Sequence, residues 1–304
     1  MTDKYAVIGN PIAHSKSPLI HRMFAEQTGQ DISYEAILAP LDGFAATIEQ
    51  LHKEGYKGCN VTVPFKFDAF ELATELSERA QAAQAVNTLK FDGKTILGDN
   101  TDGAGLVADI ERNLGISLHG KHVLLMGAGG AAYGVSLPLL GAGVALTIVN
   151  RTLDKADMLR QHLSSALKNY SLAQQNDSAE FNPATHLMTG LLSAGRIHSC
   201  GYPSLQGRHF DIIINATSAS LATPDGLFGF CCTPDLPKNI FALGALAYDM
   251  MYGRETPFMK FAREHGAAVV ADGLGMLVEQ AAEAFFIWRG VRPDTVPVIA
   301  ALRT

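Results

Sequence analysis

The chain has 304 residues, with 24 lysines and arginines against 30 aspartates and glutamates, which gives a formal net charge of −6. This acidic balance, without a basic run, argues against a nucleic-acid or membrane-surface partner. A hydrophobic fraction of 47% is enough for real cores, and the length favours two domains. No apolar run reaches the length of a membrane span and the start lacks a signal-peptide pattern, so a cytoplasmic protein is expected. The four cysteines lack zinc-ligand spacing, so no metal site is expected.

The first 101 residues alternate between strand and helix patterns. Strands are predicted over Tyr5–Gly9, Ser33–Leu38, Gly58–Val63 and from Ala85 to Leu89, and helices over Ser17–Gln27, Phe44–Glu54 and Lys66–Gln84. Ser17 is expected to cap the first helix, because proline is tolerated in the turn that follows it. The run GDNTDGAG at 98–105 predicts a crossing into a second domain.

The stretch His122–Leu137, HVLLMGAGGAAYGVSL, has the order of parts that a dinucleotide site needs. An apolar strand leads into a glycine turn, where the backbone can approach a pyrophosphate closely, and a helix from about Ala131 would direct its N–H groups at that anion. The next strand, LTIVNRT, ends in Arg151, and a cation there suits the 2′-phosphate of NADP. A plain strand-to-helix turn is the alternative, but the basic strand end favours a cofactor.

From His122 to about Val270 the repeated strand and helix patterns predict a doubly wound parallel sheet. Its later strands are predicted over Phe210–Asn215, Phe241–Asp249 and Ala267–Ala271, followed by a helix over Leu274–Ile287 that returns to the first domain. Residues 169–207 are polar and weakly periodic, which predicts a surface insertion, mostly loop with a short helix near 187–194.

Five polar clusters interrupt or end apolar stretches, where α/β proteins place ligands. They are Asn10–Ser17, Asn60–Lys66, Asn87-Thr88, Asp99–Asp102 and Asp249–Tyr252. Lys66 follows a strand and a Pro-Phe turn, so it can face a cleft and exchange a proton, with Asp102 holding it in place. Taken alone, Lys66 fits an ordinary surface charge, Ser17 a helix cap, and His14 a structural histidine.

The segments GNPIAHSKSP, GCNVTVPFK, AVNTL, GDNTDG, GAGGA, NRT, NATS, YDMMY and DGLGMLVEQAA occur in this order between residues 9 and 282. Together they closely resemble the shikimate dehydrogenase family. The resemblance implies an α/β fold of two domains: a substrate domain of residues 1–102 completed by 274–304, and a Rossmann-type NADP-binding domain of residues 103–273. It implies an active site between the domains and NADP-dependent, reversible reduction of 3-dehydroshikimate to shikimate, on the route to chorismate and the aromatic amino acids.

The resemblance also implies roles for the matching positions. Lys66 and Asp102 would be the catalytic pair. The substrate carboxylate would bind Ser15 and Ser17, and the rest of the pocket would be formed by Asn60, Thr62, Asn87, Asp102, Tyr252 and Gln280. The cofactor NADP(H) would contact Gly127, Ala128, Gly129, Gly130 and Ala131 with its pyrophosphate, Asn150, Arg151, Thr152 and Lys155 with its phosphorylated ribose, and Met250 and Gly273 with its nicotinamide.

Three features depart from the family pattern: Tyr133 where arginine commonly follows GAGGA, the 169–207 segment, and Asp154 beside the basic cluster. The nearest alternative is a dual-specificity quinate/shikimate dehydrogenase that uses NAD or NADP. A non-catalytic NADP-binding protein would have no chemical need for the Lys66–Asp102 pair, and a Rossmann reductase of acyl or folate substrates would not explain NPIAHSKSP. The expected partner is a small-molecule substrate, and the expected assembly is a monomer or homodimer.

Overall fold

The structure, a computed structural model, describes residues 2–176, 196–217 and 235–303. The strands are β1 (Asp3–Gly9), β2 (Ile32–Leu38), β3 (Tyr56–Val61), β4 (Glu75–Leu76), β5 (Thr88–Asp92), β6 (Thr95–Asp99), β7 (His122–Met126), β8 (Ala145–Val149), β9 (Ile197–Cys200), β10 (Phe210–Asn215), β11 (Phe241–Asp249) and β12 (Val269–Asp272). The α-helices of the described ranges are α1 (Ser17–Thr28), α2 (Phe44–Lys53), α3 (Lys66–Leu72), α4 (Glu78–Ala83), α5 (Asp102–Ala108), α6 (Gly130–Gly141), α7 (Leu153–Asn176), α8 (Pro257–Glu264), α9 (Leu274–Arg289) and α10 (Val296–Arg303). They form two compact units, one running to Leu114 and resuming at Leu274, the other spanning Gly115–Gly273.

The first unit contains a six-stranded mixed sheet in the order β2-β1-β3-β5-β6-β4. Strand β1 pairs in parallel with β2 and β3, whereas β5 runs antiparallel to both β3 and β6. Strand β1 is buried from Tyr5 onward, as expected of an inner strand, while the edge strand β2 alternates between exposed and partly buried residues. Packing of Ile8, Phe44, Phe65 and Leu89 forms the core of this unit.

Helix α9 completes the first unit from the far end of the chain. The Trp288 ring stacks on Tyr5 with centroids 4.6 Å apart, and its Nε1 donates to the Leu89 carbonyl oxygen at 3.0 Å. A Cβ at Gly105 would lie 2.7 Å from the backbone nitrogen of Gln280, so only glycine lets α5 approach α9 this closely. The helix predicted at Leu274–Ile287 is therefore part of this unit.

The second unit contains a fully parallel sheet in the order β9-β8-β7-β10-β11-β12. Numbered along the chain, its strands run 3-2-1-4-5-6, which is the Rossmann order. The central strand β7 is buried from Val123 to Met126 because both faces of the sheet are covered. The predicted doubly wound parallel sheet is confirmed.

The end of the first unit and the extent of one helix differ from the prediction. The first unit extends to Leu114 rather than to Asp102, because α5 packs on α9 within it. The single helix predicted over Lys66–Gln84 is wrong: α3 ends at Leu72, Ala73 is extended, and β4 pairs with β6 before α4 begins. That break depends on a strand pairing that a local pattern does not show.

The segment 169–207 is not simply a loop insertion. Helix α7 continues to Asn176, and β9 lies beside β8 as the edge strand of the second sheet. Residues 177–195, including the helix predicted near 187–194, lie outside the described residues. Polar residues on the long helix and in β9, whose sequence is IHSC, weakened the periodicity on which the prediction relied.

Within the described ranges, no helix is long and apolar enough to cross a membrane. The same residues contain no group of three or more His, Cys, Asp or Glu side chains that could hold a metal ion. Cys59 and Cys200 are buried free thiols, and Cys231 and Cys232 lie outside the described residues.

Candidate active site

Lys66 is positioned by an aromatic anchor at the start of α3. The residue before it, Phe65, is buried and stacks on Phe44 with ring centroids 5.0 Å apart. The Lys66 carbonyl oxygen accepts a hydrogen bond from the Val86 N–H at 2.9 Å. These contacts fix the backbone of the lysine beside the start of β5.

Lys66 and Asp102 form a largely buried ion pair, as their predicted roles require. Lys66 Nζ lies 2.5 Å from Asp102 Oδ2, with the two side chains 12% and 7% exposed. Asp102 is the first residue of α5, where the helix dipole favours a carboxylate. Its other oxygen accepts from Asn87 Nδ2 at 2.8 Å. The desolvation cost of the pair is offset because both carboxylate oxygens have charged or polar partners.

Buried amides adjoin this ion pair. Asn60, Asn87 and Gln280 are each less than 9% exposed. Asn87 Nδ2 lies 3.3 Å from Gln280 Oε1, and Asn60 Nδ2 lies 3.3 Å from the Asn87 carbonyl oxygen. The structure therefore links Lys66 and Asp102 to three of the predicted pocket residues through hydrogen bonds.

Ser15, Ser17 and Thr62 lie in the same unit. The predicted cap at Ser17 is wrong: Ser17 is the first residue of α1, and its N–H donates to Ser15 Oγ at 3.2 Å. The Thr62 N–H donates to the Ile8 carbonyl oxygen at 2.9 Å, which ties the start of the turn before Lys66 to β1. Ser15 also borders a cavity of about 440 Å³ that Tyr34 helps to line.

Tyr34 and His21 form an aromatic pair beside the amides that sequence reasoning missed. The Tyr34 hydroxyl donates to Asn60 Oδ1 at 2.7 Å, and the ring stacks on His21 with centroids 4.1 Å apart. Burial lowers the pKa of His21 to about 3 and raises the pKa of Tyr34 well above its usual value. Within the part of the chain that the structure describes, neither nitrogen of His21 has a hydrogen-bond partner, and nearby Asn60 only partly opposes the fall in the His21 pKa. Neither residue lies in the five polar clusters, so no local pattern marks them as site residues.

A second charged cluster supports the loop that carries Asp102. Arg79 donates to both oxygens of Asp99, at 2.6 and 2.9 Å, and to Glu283 at 3.1 Å. The Asn100 N–H donates to Asp99 Oδ1 at 2.7 Å, and Asn100 Oδ1 accepts from the Asp102 N–H at 3.2 Å. Despite the cost of burial, Arg292 and Arg79 hold the pKa of Glu283 below its ordinary value. The motif GDNTDG therefore contains both an expected catalytic residue and two residues that position it.

In the second unit, the residues after β7 fit a dinucleotide pyrophosphate. Gly127 has φ +109°, which a side chain would strain, and a Cβ there would lie 3.1 Å from the Ala216 carbonyl oxygen. Among the described residues, nothing would lie within 4 Å of a Cβ at Gly129, so none of them blocks a ligand there. Helix α6 begins at Gly130, continues through Ala131, and has no acidic residue in its first turn to repel an anion. Ala128 lies between the two turn glycines.

The predicted ribose-phosphate residues lie together where β8 leads into α7. Asn150 Nδ2 donates to the Thr152 carbonyl oxygen at 2.9 Å, and the Lys155 N–H donates to the same atom at 3.2 Å. The side chains of Arg151 and Lys155 are exposed, so both are accessible to an anion. Asp154 occupies the first turn of α7, where a carboxylate stabilises the helix, and this local role accounts for an acidic residue in a basic cluster. Tyr133, the other departure, packs against His162 of α7, with ring centroids 5.5 Å apart.

Met250, Tyr252 and Gly273 lie around the loop after β11. The Met250 N–H donates to the Asn215 carbonyl oxygen at 3.0 Å, and Gly273 packs directly on the backbone of Met250. The buried Asp249 carboxylate accepts from Thr256 Oγ1 at 2.5 Å and from the Met251 N–H at 3.0 Å. Burial raises the pKa of Asp249, while these hydrogen bonds oppose the rise. Met250 and Gly273 are therefore brought together, and Tyr252 follows on the same loop.

The Rossmann strand order, the open glycine turn and the basic strand end define one class of protein in the second unit, a nicotinamide-dinucleotide enzyme. The buried lysine–aspartate pair among amides in the first unit suits proton transfer to a small polar substrate. These features together are those of a dinucleotide-dependent dehydrogenase.

Comparison with family models identifies the same type of protein along most of the chain. The model of the shikimate dehydrogenase substrate binding domain matches residues 7–89, and that of shikimate / quinate 5-dehydrogenase matches residues 109–181. The model of the shikimate 5′-dehydrogenase C-terminal domain matches residues 273–303.

Whole-chain comparisons agree. A protein of Methylobacillus flagellatus named shikimate dehydrogenase (NADP(+)) is 54% identical over 302 residues, 99% of each chain, and one of Nitrosospira multiformis is 54% identical over 306 residues, 100% of this chain and 98% of its own. The crystal structure of an Ael1 enzyme from Pseudomonas putida has a TM-score of 0.79 at 47% identity and covers 99% of this chain and 98% of its own. The structure of shikimate 5-dehydrogenase from Thermus thermophilus in complex with NADP(H) and shikimate has a TM-score of 0.78 at 28% identity, with 99% of both chains covered. The chain belongs to the shikimate dehydrogenase family, as its sequence motifs predicted.

The near-complete coverage of these relatives also bears on residues 169–207. An alignment over 302 residues that covers 99% of both chains leaves no room for an extra segment of that length relative to the Methylobacillus protein. The segment is therefore not an insertion relative to that protein.

Proposed function

We propose that this chain is an NADP-dependent shikimate dehydrogenase that reversibly reduces 3-dehydroshikimate to shikimate on the route to chorismate. The observation that carries the proposal is the Lys66–Asp102 pair, 2.5 Å apart and largely buried beside Asn60 and Asn87. Relatives that bear this name at 54% identity over nearly the whole chain support it.

Lys66 carries the proton transfer in this proposal. As the substrate carbonyl becomes a hydroxyl, the Lys66 ammonium donates a proton to the oxygen, and in the oxidative direction Lys66 takes the proton back. Asp102 keeps the ammonium oriented toward the substrate. Bound NADPH would supply the hydride, and NADP⁺ would accept it in the reverse reaction.

The remaining residues of the first unit would bind the substrate. Ser15 and Ser17 would donate hydroxyl hydrogen bonds to its carboxylate. A ring with several hydroxyl groups needs both donors and acceptors, and buried amides supply both. Asn60, Asn87 and Gln280 fit that need, and Thr62 of the same unit would join them.

The second unit would hold NADP(H). Gly127 to Ala131 would surround the pyrophosphate, and Asn150, Arg151, Thr152 and Lys155 the 2′-phosphorylated ribose. Met250 and Gly273 would contact the nicotinamide. We further propose a cytoplasmic enzyme, monomeric or homodimeric, with the substrate on residues up to Leu114 and from Leu274 onward. The dual-specificity alternative is not favoured, because the curated relatives reported above carry the NADP(+) name.

The test is the absorbance of reduced nicotinamide with purified enzyme, with shikimate and quinate each assayed against NADP⁺ and NAD⁺. Strong reduction with shikimate and NADP⁺ alone is expected. Comparable rates with quinate or NAD⁺ would establish the dual-specificity alternative. Folded protein without activity in any combination would contradict both and favour a non-catalytic NADP-binding protein.

A further inference from the structure

Backbone groups fix the orientation of the Asn87 side chain. The Thr101 N–H, which can only donate, lies 2.8 Å from Asn87 Oδ1. That end of the amide must therefore be the carbonyl oxygen, and the Asn87 NH₂ group must face the Asp102 carboxylate, 2.8 Å away. A flipped amide would place Asn87 Oδ1 against the Asp102 carboxylate oxygen. It would also place the Asn87 NH₂ group against the Thr101 N–H.

The Asn60 amide is fixed in the same way. Its Nδ2 lies 3.3 Å from the carbonyl oxygen of Asn87, which can only accept, so this end must be the NH₂ group. Asn60 Oδ1 therefore faces the Tyr34 hydroxyl at 2.7 Å, and that hydroxyl must donate.

Thr88 connects the two amides. Its hydroxyl accepts from Asn60 Nδ2 at 3.0 Å and donates to Asn87 Oδ1 at 2.9 Å. A hydroxyl can accept and donate at once, which a methyl group of the same size cannot do. Thr88 is fully buried, so its hydroxyl is shielded from bulk solvent. The hydrogen bonds thus run without interruption from Tyr34 through Asn60, Thr88 and Asn87 to Asp102, the partner of Lys66.

We propose that Thr88 and Tyr34 are positioning residues, which lock the donor and acceptor ends of Asn60 and Asn87 and thereby set how the pocket binds the hydroxyl groups of its substrate. This inference rests on the proposed function, because it assigns substrate contacts to the two asparagines. Neither Thr88 nor Tyr34 is expected to touch the reacting atoms.

Thr88→Val tests the proposal, because it keeps the shape of the side chain and removes the hydroxyl. The expected result is a fall of about 10-fold in kcat/KM for shikimate, mostly through KM, with KM for NADP⁺ unchanged. Thr88→Ser retains the hydroxyl and should restore most of the loss. Thr147→Val is the matched control, since Thr147 is a buried strand threonine of the other unit, and it should leave shikimate kinetics unchanged.

Tyr34→Phe supplies a second, independent measurement. It leaves Asn60 Oδ1 without its donor and should also raise KM for shikimate by about 10-fold. Both hydroxyls act on Asn60. The fold-rise in KM for shikimate in the double variant should therefore be clearly smaller than the product of the two single-variant rises.

Normal shikimate kinetics in folded Thr88→Val would overturn the proposal, as would a Thr88→Ser variant as impaired as Thr88→Val. Losses that multiply fully in the double variant would show independent roles and overturn the shared action on Asn60. A wild-type enzyme that neither binds nor oxidises shikimate would instead overturn the proposed function, and this inference with it.

Discussion

Single side chains of the site depend on partners that lie far away in the sequence. Lys66 and Asp102 are 36 positions apart, and Asn87 and Gln280 are 193 apart. At the residue scale, each polar group is held by its neighbours before any substrate arrives, and such preorganisation favours catalysis.

Lys66→Ala should lower kcat for shikimate oxidation by about 10²–10⁴-fold, because the proton then has no positioned acceptor. KM for shikimate should change by less than about 10-fold, because other groups hold the substrate. Steady-state kinetics measure both values. Fluorescence of Trp288, the only tryptophan of the chain, checks that the first unit is folded. Near-normal turnover would remove Lys66 from the mechanism.

Arg151→Ala should raise KM for NADP⁺ by about 10–100-fold, the typical loss for a hydrogen bond to a charged group. KM for NAD⁺, which lacks the 2′-phosphate, should stay the same. Lys238→Ala, at another exposed cation of the second unit, serves as the control. Equal effects on both cofactors would show that Arg151 does not contact the 2′-phosphate.

The sequence supplied part of this site directly. The polar clusters that end apolar runs contained Lys66, Asp102 and Asn87, although their roles came from the family resemblance. Thr88 lies in one of those clusters, but its double hydrogen bond depends on Asn60, 28 positions earlier. No sequence pattern marked Tyr34 as a site residue, because one aromatic residue in a predicted strand is typical of a hydrophobic core. Local sequence patterns do not show which distant elements form hydrogen bonds with one another.

At the scale of elements, α1, β2 and α9 meet around the ring of His21. The ring stacks on Tyr34 and lies 5.4 Å from the ring centroid of Trp288 and 6.1 Å from that of Phe285. His21 is fully buried, which lowers its pKa from 6.5 to about 3. The folded protein therefore holds a neutral histidine where the unfolded chain takes up a proton below pH 6.5.

This difference makes acid destabilise the protein in a defined window. The contribution of a neutral His21 is complete above pH 6.5 and is lost as the pH falls from there toward 3, because only the unfolded chain gains the proton. Between pH 7 and pH 5, wild type should lose about 2 kcal/mol of unfolding free energy relative to His21→Phe. Urea unfolding of both proteins at each pH measures this difference in unfolding free energy. His122→Gln, at an exposed histidine, should keep the wild-type pH dependence, and parallel curves for wild type and His21→Phe would contradict the prediction.

Elements were predictable from the sequence where burial decides them. The inner strands β7 and β10 are short apolar runs covered on both faces, and their predicted positions agree with the structure. Strand β4 has two residues and exists through its pairing with β6, while β9 is a short edge strand with His198 and Ser199. Neither has a hydrophobic pattern of its own, so tertiary pairing determines both.

At the scale of the whole molecule, the two units differ in how the chain builds them. The second unit is one continuous segment, whereas the first needs both ends of the chain. Helix α9 supplies the first unit with Trp288, which bonds to β5, and with Glu283, which binds Arg79.

Deleting residues 274–304 should therefore abolish the fold of the first unit and all shikimate binding, while the second unit still binds NADP⁺. Deleting only 296–304 removes α10 and should cost much less, because α9 stays in place. Calorimetry with and without each ligand separates these outcomes, since a ligand raises the melting temperature only of a unit that binds it. Retained shikimate binding without residues 274–304 would show that the first unit does not need α9.

Because the first unit is built from both ends of the chain, its structure also has a consequence for synthesis on the ribosome. Domains usually fold in the order in which they are translated. Here the strands translated first wait for Trp288, near the end of the chain, to pack on Tyr5. The Rossmann unit is translated in full before α9 has emerged, so we expect the first unit to become native after it. During that interval the apolar strands at the N-terminus lack their covering helix, which is when a chaperone would have the most to bind.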